Sequence, residues 1–306
     1  MTNSDHDIRR GYIYGISSYL IWGGLPIYFK LIEDIGPTEV VAQRVAWSAL
    51  LLLVVALARR DLASLFSSMA NPRVMAALSA SALLIGVNWL VYVWATTHQH
   101  ILAASLGYFL NPLISVGLGV LLLKERLRPM QMVAIGFALL GVVMLALSAL
   151  DTLWISVVLA LSFALYGLIR KVTPVEALPG LTIETLLLLP FAVPYLLWLM
   201  ADGTMAFGHR PLSTILVPLL GLVTSVPLVL FAQAARRLPL ATIGVLQYLA
   251  PSLQFLAGYL LYGETLDSTR LLSFVAIWIG LAIFTHDALS GLWQRRGAER
   301  RAQNAE

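Results

Sequence analysis

The chain has no cysteine and little charge. Among its 306 residues, Asp, Glu, Lys and Arg together make up 12%, against 59% apolar residues. Without cysteine there is no disulfide, no thiol nucleophile and no thiolate metal site. A soluble domain carries about twice that charged fraction. With a mean hydropathy of +0.84, the apolar surface exceeds what a globular core can hide. The chain therefore reads as an integral membrane protein whose solvent is the lipid bilayer. No Gly-x-x-x-x-Gly-Lys loop occurs, which excludes nucleotide hydrolysis by the chain itself. No His-Glu-x-x-His occurs, and Ser, His and Asp form no convincing triad. His98 and His100 share one short connection with no third ligand in view, so no metal and no cofactor is expected. The net charge of +4 and pI near 9.4 do not indicate nucleic acid, because the basic residues sit in short clusters rather than in a stripe. Nothing in the sequence calls for an obligate protein partner.

What is abundant is long apolar runs. Ten of them, at 11–32, 38–58, 74–96, 101–123, 129–149, 152–170, 179–200, 213–235, 239–262 and 268–289, approach the roughly 20 helical residues that cross a bilayer core. None alternates in the manner of a lipid-facing barrel strand. Helices satisfy their own backbone in lipid, so an all-α membrane protein with ten transmembrane helices is expected. The first run follows Arg9 and Arg10 as a signal peptide would. It is too long for one, and Ile32-Glu-Asp-Ile-Gly36 offers no small-x-small cleavage site. The connections leave no room for a soluble domain; the longest are near 59–73 and 201–212. The arginine-rich tail after Gly291 is expected to be disordered.

The basic residues give an orientation. One alternate set of connections holds Arg9, Arg10, Arg59, Arg60, Arg73, Lys124, Arg126, Arg128, Arg170, Lys171, Arg236, Arg237 and the four arginines of the tail. The other set holds only Lys30, Arg210 and Arg270, and Arg44 lies inside a run. Positive residues stay in the cytoplasm, which places both termini there.

The chain also repeats. A shift of 139 residues lays Pro112 on Pro251, Gly119 on Gly258, Glu125 on Glu264 and Gly141 on Gly280 without a gap. Two units, 11–149 and 152–289, follow, flanked by an N-terminal segment 1–10 and a basic tail 290–306. Each unit holds an odd number of spans, so the second enters the membrane in the opposite sense. Inverted five-helix repeats of this kind are a transporter architecture.

Several stretches carry a resemblance. Tyr19-Leu-Ile-Trp-Gly23, Arg44-Val-Ala-Trp-Ser48, Gly86-Val-Asn-Trp-Leu90, Ala104-Ser-Leu-Gly-Tyr-Phe-Leu-Asn-Pro112, Phe163-Ala-Leu-Tyr-Gly167, Ile183-Glu-Thr185 and Gln247-Tyr-Leu-Ala-Pro251 resemble the RarD permeases. These belong to the EamA family of the drug/metabolite transporter superfamily. The resemblance spans residues 10 to 290. It implies two EamA repeats, a bacterial inner-membrane location and a relation to permeases labelled chloramphenicol-sensitive.

Pro112 and Pro251 stand mid-run, where a proline frees a carbonyl one turn back and bends the helix. With Gly119 and Gly258, seven residues on, they are the gating or hinge candidates. Arg44 and Glu184 are the full charges well inside the runs, a costly placement that marks a functional site. Arg44 is expected to bind a solute, and Glu184 to bind it or to couple transport to protons. A polar and aromatic set at membrane depth completes the candidate pocket: Trp22, Asn88, Trp89, Tyr108, Asn111, Tyr166, Gln247, Tyr248 and Gln254. Tyr28 and Tyr92 fit interfacial belts instead. Glu125 and Glu264 fit caps at helix N-termini.

The expected function is a secondary transporter, an exporter of a small amphipathic drug or metabolite working by alternating access. The alternative is an intramembrane enzyme or lipid scramblase. It would want clustered acid–base residues or a polar groove open to lipid.

Overall fold

The structure, a computed structural model, describes residues 3–60, 62–98, 100–147, 150–262 and 268–303. Twelve helices account for almost all of it: α1 (Asn3–Lys30), α2 (Pro37–Ala58), α3 (Leu62–Ala70), α4 (Pro72–Thr97), α5 (Ile101–Leu121), α6 (Pro129–Ala146), α7 (Leu153–Val172), α8 (Ala177–Ala201), α9 (Pro211–Ala235), α10 (Leu240–Leu246), α11 (Leu249–Tyr262) and α12 (Ser268–Gln303). No strand occurs among the described residues. Proline opens α2, α4, α6 and α9, where its missing N–H is no loss.

Among the described residues, eight stretches are long and apolar enough to cross a membrane; the seventh and eighth are α9 and the stretch Leu240–Ala257. The expected first and last spans are helical as α1 and α12 but are not among the eight. Tyrosine, glycine and serine dilute α1, and the apolar part of α12 runs only from Leu271 to Asp287.

Three features differ from the sequence expectation. The 59–73 connection contains α3, whose Leu65 is buried against Val74, Leu78, Val175 and Ile183. One buried leucine on nine residues is too short a pattern to stand out as a span. The tail expected to be disordered continues α12 to Gln303. The ninth run is two helices rather than one bent one. It breaks at Gln247-Tyr248, so Pro251 sits in the first turn of α11, whereas Pro112 sits inside an unbroken α5. Pro251 has no N–H to offer the Gln247 carbonyl. The Ala250 amide takes that carbonyl instead, at 3.2 Å, in a tighter turn.

Neighbouring helices pair in a regular way. α6 packs on α12, α5 on α10 and α2 on α8; α1 lies on α9 and α11, and α7 lies on α4 and α5. α2 also lies on α9, as α8 does on α4. The tightest crossings use glycine. A Cβ at Gly141 would stand 2.6 Å from the Ser273 carbonyl, and one at Gly280 2.5 Å from the Ala134 carbonyl, so α6 and α12 touch backbone to backbone at two levels. Bonds between connections fall into two groups. One end of the bundle joins Asp7 to Arg237, Arg128 to Asp287, and Glu125 and Lys171 to the α9–α10 connection. The other joins Ser213 to Asp34 and Glu39 to the amides of Ala206 and Phe207. The first is the basic end of the bundle and the second the opposite end.

Candidate functional site

A cavity of about 390 Å³ lies in the middle of the bundle and extends toward the opposite end. Its wall comes from α1, α2, α4, α5, α7, α9 and α11, with Gln247 at the α10–α11 break. Eight of the residues singled out in the sequence as pocket candidates line it: Trp22, Arg44, Asn88, Trp89, Tyr108, Asn111, Gln247 and Gln254. Pro251 lines it as well.

Each reaches the cavity for a local reason. Arg44 sits on the second turn of α2. Its Nε donates to Thr224 Oγ1 on α9 at 3.2 Å, and its Cζ lies 4.2 Å from the Trp89 ring centroid. Among the described residues no carboxylate lies within ion-pair distance of Arg44, so the charge is held by a hydroxyl and a ring face. Asn88 is buried and spends its amide on α7, donating to the Leu159 carbonyl at 2.8 Å and to Ser162 Oγ at 3.0 Å. It is interhelical glue that also faces the cavity. Asn111 Oδ1 accepts from Ser115 Oγ at 3.3 Å, and Gln254 Nε2 donates to the Trp22 carbonyl at 3.1 Å. The Gln247 side chain and the Tyr19 hydroxyl are buried together at the cavity, where each faces the other. Trp22 belongs to an aromatic cluster, 5.5 Å from Tyr19, 5.6 Å from Phe163 and 5.8 Å from Phe231 between centroids.

Three sequence candidates lie elsewhere. Glu184 is 1% exposed and forms a cluster at the basic half of the bundle. It accepts from Ser81 Oγ at 2.5 Å and from the Tyr166 hydroxyl at 3.3 Å, and its Oε1 is 3.5 Å from Arg170 Nη1. Arg170, itself 1% exposed, also donates to the Ala177 carbonyl at 3.1 Å. Arg44 and Glu184 therefore do not share a cavity, because the helical phase of α8 turns Glu184 toward α4 and α7. Tyr166 is occupied by this cluster and stacks on Phe231. Tyr248 packs into the core formed by α5, α6 and α12.

Sequence reasoning missed Tyr19, Leu25, Pro26, Phe29, Ile85, Phe163 and Leu228 as lining residues, and it assigned Tyr92 to a belt. Tyr92 instead faces Tyr108, 5.8 Å away between centroids. Its spacing of four from Asn88 was the available signal. Of the hinge candidates, Pro112 and Gly119 lie on α5, and Gly258 on α11. A Cβ on Gly244 would stand 2.7 Å from the Pro112 carbonyl, so α5 and α10 cross closely there. A Cβ on Gly119 would stand 2.7 Å from Glu125 Oε2, so this glycine makes room for the Glu125 carboxylate. Glu264 lies outside the described residues. Among the described residues no cluster of His, Asp and Glu is placed to hold a metal ion.

Residues 9–147 match the EamA-like transporter family. An uncharacterized transporter of Pseudomonas aeruginosa is 50% identical over 289 residues, covering 94% of this chain and 96% of that one. The chain belongs to the EamA-like transporter family. The RarD protein of Escherichia coli, another relative, is 41% identical over 92% of this chain and 95% of its own length. A crystal structure with 19% identity superposes with a TM-score of 0.69 over 89% of this chain and 96% of that one, a likeness of fold. As a RarD-type EamA permease, the chain is a multi-pass inner-membrane protein of a transporter family, and its candidate site is the central cavity.

Proposed function

We propose that the chain is a secondary active transporter that exports a small amphipathic drug or metabolite by alternating access. The observation that carries this reading is the cavity around Arg44, a half-buried cation with no carboxylate beside it among the described residues. A guanidinium inside a membrane span is costly, up to about 3 kcal/mol at the helix centre on insertion scales. A hydroxyl and a tryptophan face offset part of that. An anionic or carbonyl group of the solute would offset more, through a charge-assisted fork. The aromatic wall of Trp22, Trp89, Tyr108 and Phe163 suits the apolar part of such a solute.

The same proposal holds that ten helices cross the membrane in two inverted five-helix units, with both termini in the cytoplasm. The helix pairings support it. Exchanging the units turns the contact of α1 with α9 into that of α7 with α4, and maps α6–α12 onto itself. Gly141 and Gly280, equivalent under the sequence shift, play equivalent parts in that last pair. The basic end is then cytoplasmic, and the cavity lies toward the periplasm. Glu184 acts away from the solute: its protonation would release Arg170 and loosen α7 from α8, which is one way to couple the cycle to the proton gradient.

Metabolite profiling of cells with and without the protein tests the reading first. Expression should deplete at least one amphipathic solute inside the cell and enrich it outside. Unchanged profiles across the polar and amphipathic metabolome would contradict export.

A further inference from the structure

A second crevice of about 350 Å³ opens between α2, α4 and α8, on the flank of the bundle rather than at its centre. Its floor is made of small residues, Ala42, Gly86 and Ala192. Its rim carries large apolar side chains turned outward: Leu83, Leu90 and Phe191 are 67, 60 and 76% exposed. All three helices are among the candidate membrane spans, and Leu83 and Phe191 stand near the middle of theirs. Among the described residues the only lining hydroxyls are at one extremity, where Tyr195 donates to Thr38 Oγ1 at 2.8 Å.

Among the described residues no side chain fills this crevice, and water is a poor occupant. A buried water needs two to four polar partners, and the floor supplies none. A void of this size at the depth of the hydrocarbon also forfeits dispersion contacts along its walls. What surrounds the flank at that depth is lipid hydrocarbon. We propose that the crevice is a binding site for one acyl chain of a membrane phospholipid, with the headgroup at the Thr38–Tyr195 end.

The site touches the central cavity through one residue. Trp89 lines both spaces, and its ring covers the Arg44 guanidinium. A bound acyl chain therefore backs Trp89 and holds it over Arg44. Lipid occupancy then sets how firmly the central cation is positioned. The inference does not depend on which solute is moved.

The test uses the full chain in lipid nanodiscs containing a graded fraction of a phospholipid with a diazirine in mid-acyl chain. Photolabelling is mapped by mass spectrometry. Labelling around Gly86 and Ala192 should saturate with probe fraction, whereas labelling at Leu139 and Leu140, exposed on α6, should rise linearly. Filling the crevice with Val87→Trp, or independently with Gly86→Leu, should remove the saturable part and leave the α6 labelling unchanged, which also reports that the variant is folded. Linear labelling at both places would reduce the crevice to ordinary lipid-facing surface and overturn the proposal. Labelling there by a water-soluble carbene precursor would show the crevice to be wet, and would overturn the proposal as well. Solute flux in liposomes is read separately, so saturable labelling without flux would remove the transport reading and leave the lipid site standing.

Discussion

The Glu125 carboxylate caps the helix that begins at Leu240. Its Oε1 accepts the Leu240 amide at 2.7 Å, and its Oε2 accepts the Ala241 amide at 2.9 Å. Lys171 Nζ, 3.9 Å away, donates to the carbonyls of Ala235 and Leu238 at the end of the preceding helix and connection. One carboxylate and one ammonium thus tie the ends of α5, α7 and α9 to the start of α10, at the end of the bundle away from the cavity. A carboxylate at a helix N-terminus contributes both hydrogen bonds and favourable interaction with the helix dipole.

This latch must release if the cavity is ever to open toward the basic end. Glu125→Ala should weaken the closure by about 1–2 kcal/mol, the usual worth of a lost cap. Gly119→Ala should act in the same direction, because its methyl group would occupy the space of the carboxylate. The chain has no cysteine of its own. A single cysteine at the buried Thr242 therefore reports opening without background. Maleimide should label it faster in both variants than in the parent; equal rates would show that Glu125 does not hold this end shut.

The two prolines should behave unequally. Pro112 sits inside a continuous helix, while Pro251 follows a break whose residues Gln247, Ala250 and Pro251 face the cavity. Pro251→Ala restores an N–H that can reach the Gln247 carbonyl, and so favours fusion of α10 with α11. Both Pro112→Ala and Pro251→Ala should insert normally and slow flux in liposomes, Pro251→Ala the more. Parental flux in both would reduce the prolines to packing.

Glu184→Gln leaves Arg170 buried without a counter-charge. Breaking such a pair typically costs about 3–5 kcal/mol, so the variant should melt earlier in detergent. If protonation of this carboxylate couples the cycle, glutamine mimics the protonated form permanently. Flux should then lose its pH dependence while solute exchange persists. An unchanged pH profile would assign Glu184 to the packing of α4, α7 and α8 alone.

Orientation has its own test. A reporter fused after Gln294 should be active only as a cytoplasmic protein, and one inserted at Gly203, where the backbone has φ +71° in an exposed turn, only as an external one. A cytoplasmic signal from Gly203 would remove the inverted-unit reading.

Much of the helical layout is legible in the sequence because lipid enforces it: an apolar run of bilayer length has little choice but to be a helix. The break at Gln247 was not legible. Pro112 and Pro251 look alike in a linear string, and only the tertiary setting decides whether the chain bends or parts. The depth of Glu184 was legible but not its direction, since a helix with apolar residues all round gives no phase. Its partner Arg170 counted as a loop charge in the sequence, yet it is almost fully buried. A Cβ on Gly180 would stand only 2.8 Å from the Arg170 Cζ, so this glycine opens the space that lets it turn inward. Arg44 stands out in the sequence as one cation inside an apolar run, and its side chain lines the central cavity.

The central claim is that Arg44 meets the transported solute. It is tested by flux of amphipathic solutes bearing a carboxylate or carbonyl into liposomes holding only this protein. The parent should carry at least one. Arg44→Ala should lower its apparent affinity by about tenfold or more, in keeping with the ~1.5–3 kcal/mol of a hydrogen bond to a charged group. Arg44→Lys should recover part of the loss, since it keeps the charge and lacks the planar fork. Equal flux and affinity in the parent and in a correctly inserted Arg44→Ala variant would contradict the claim.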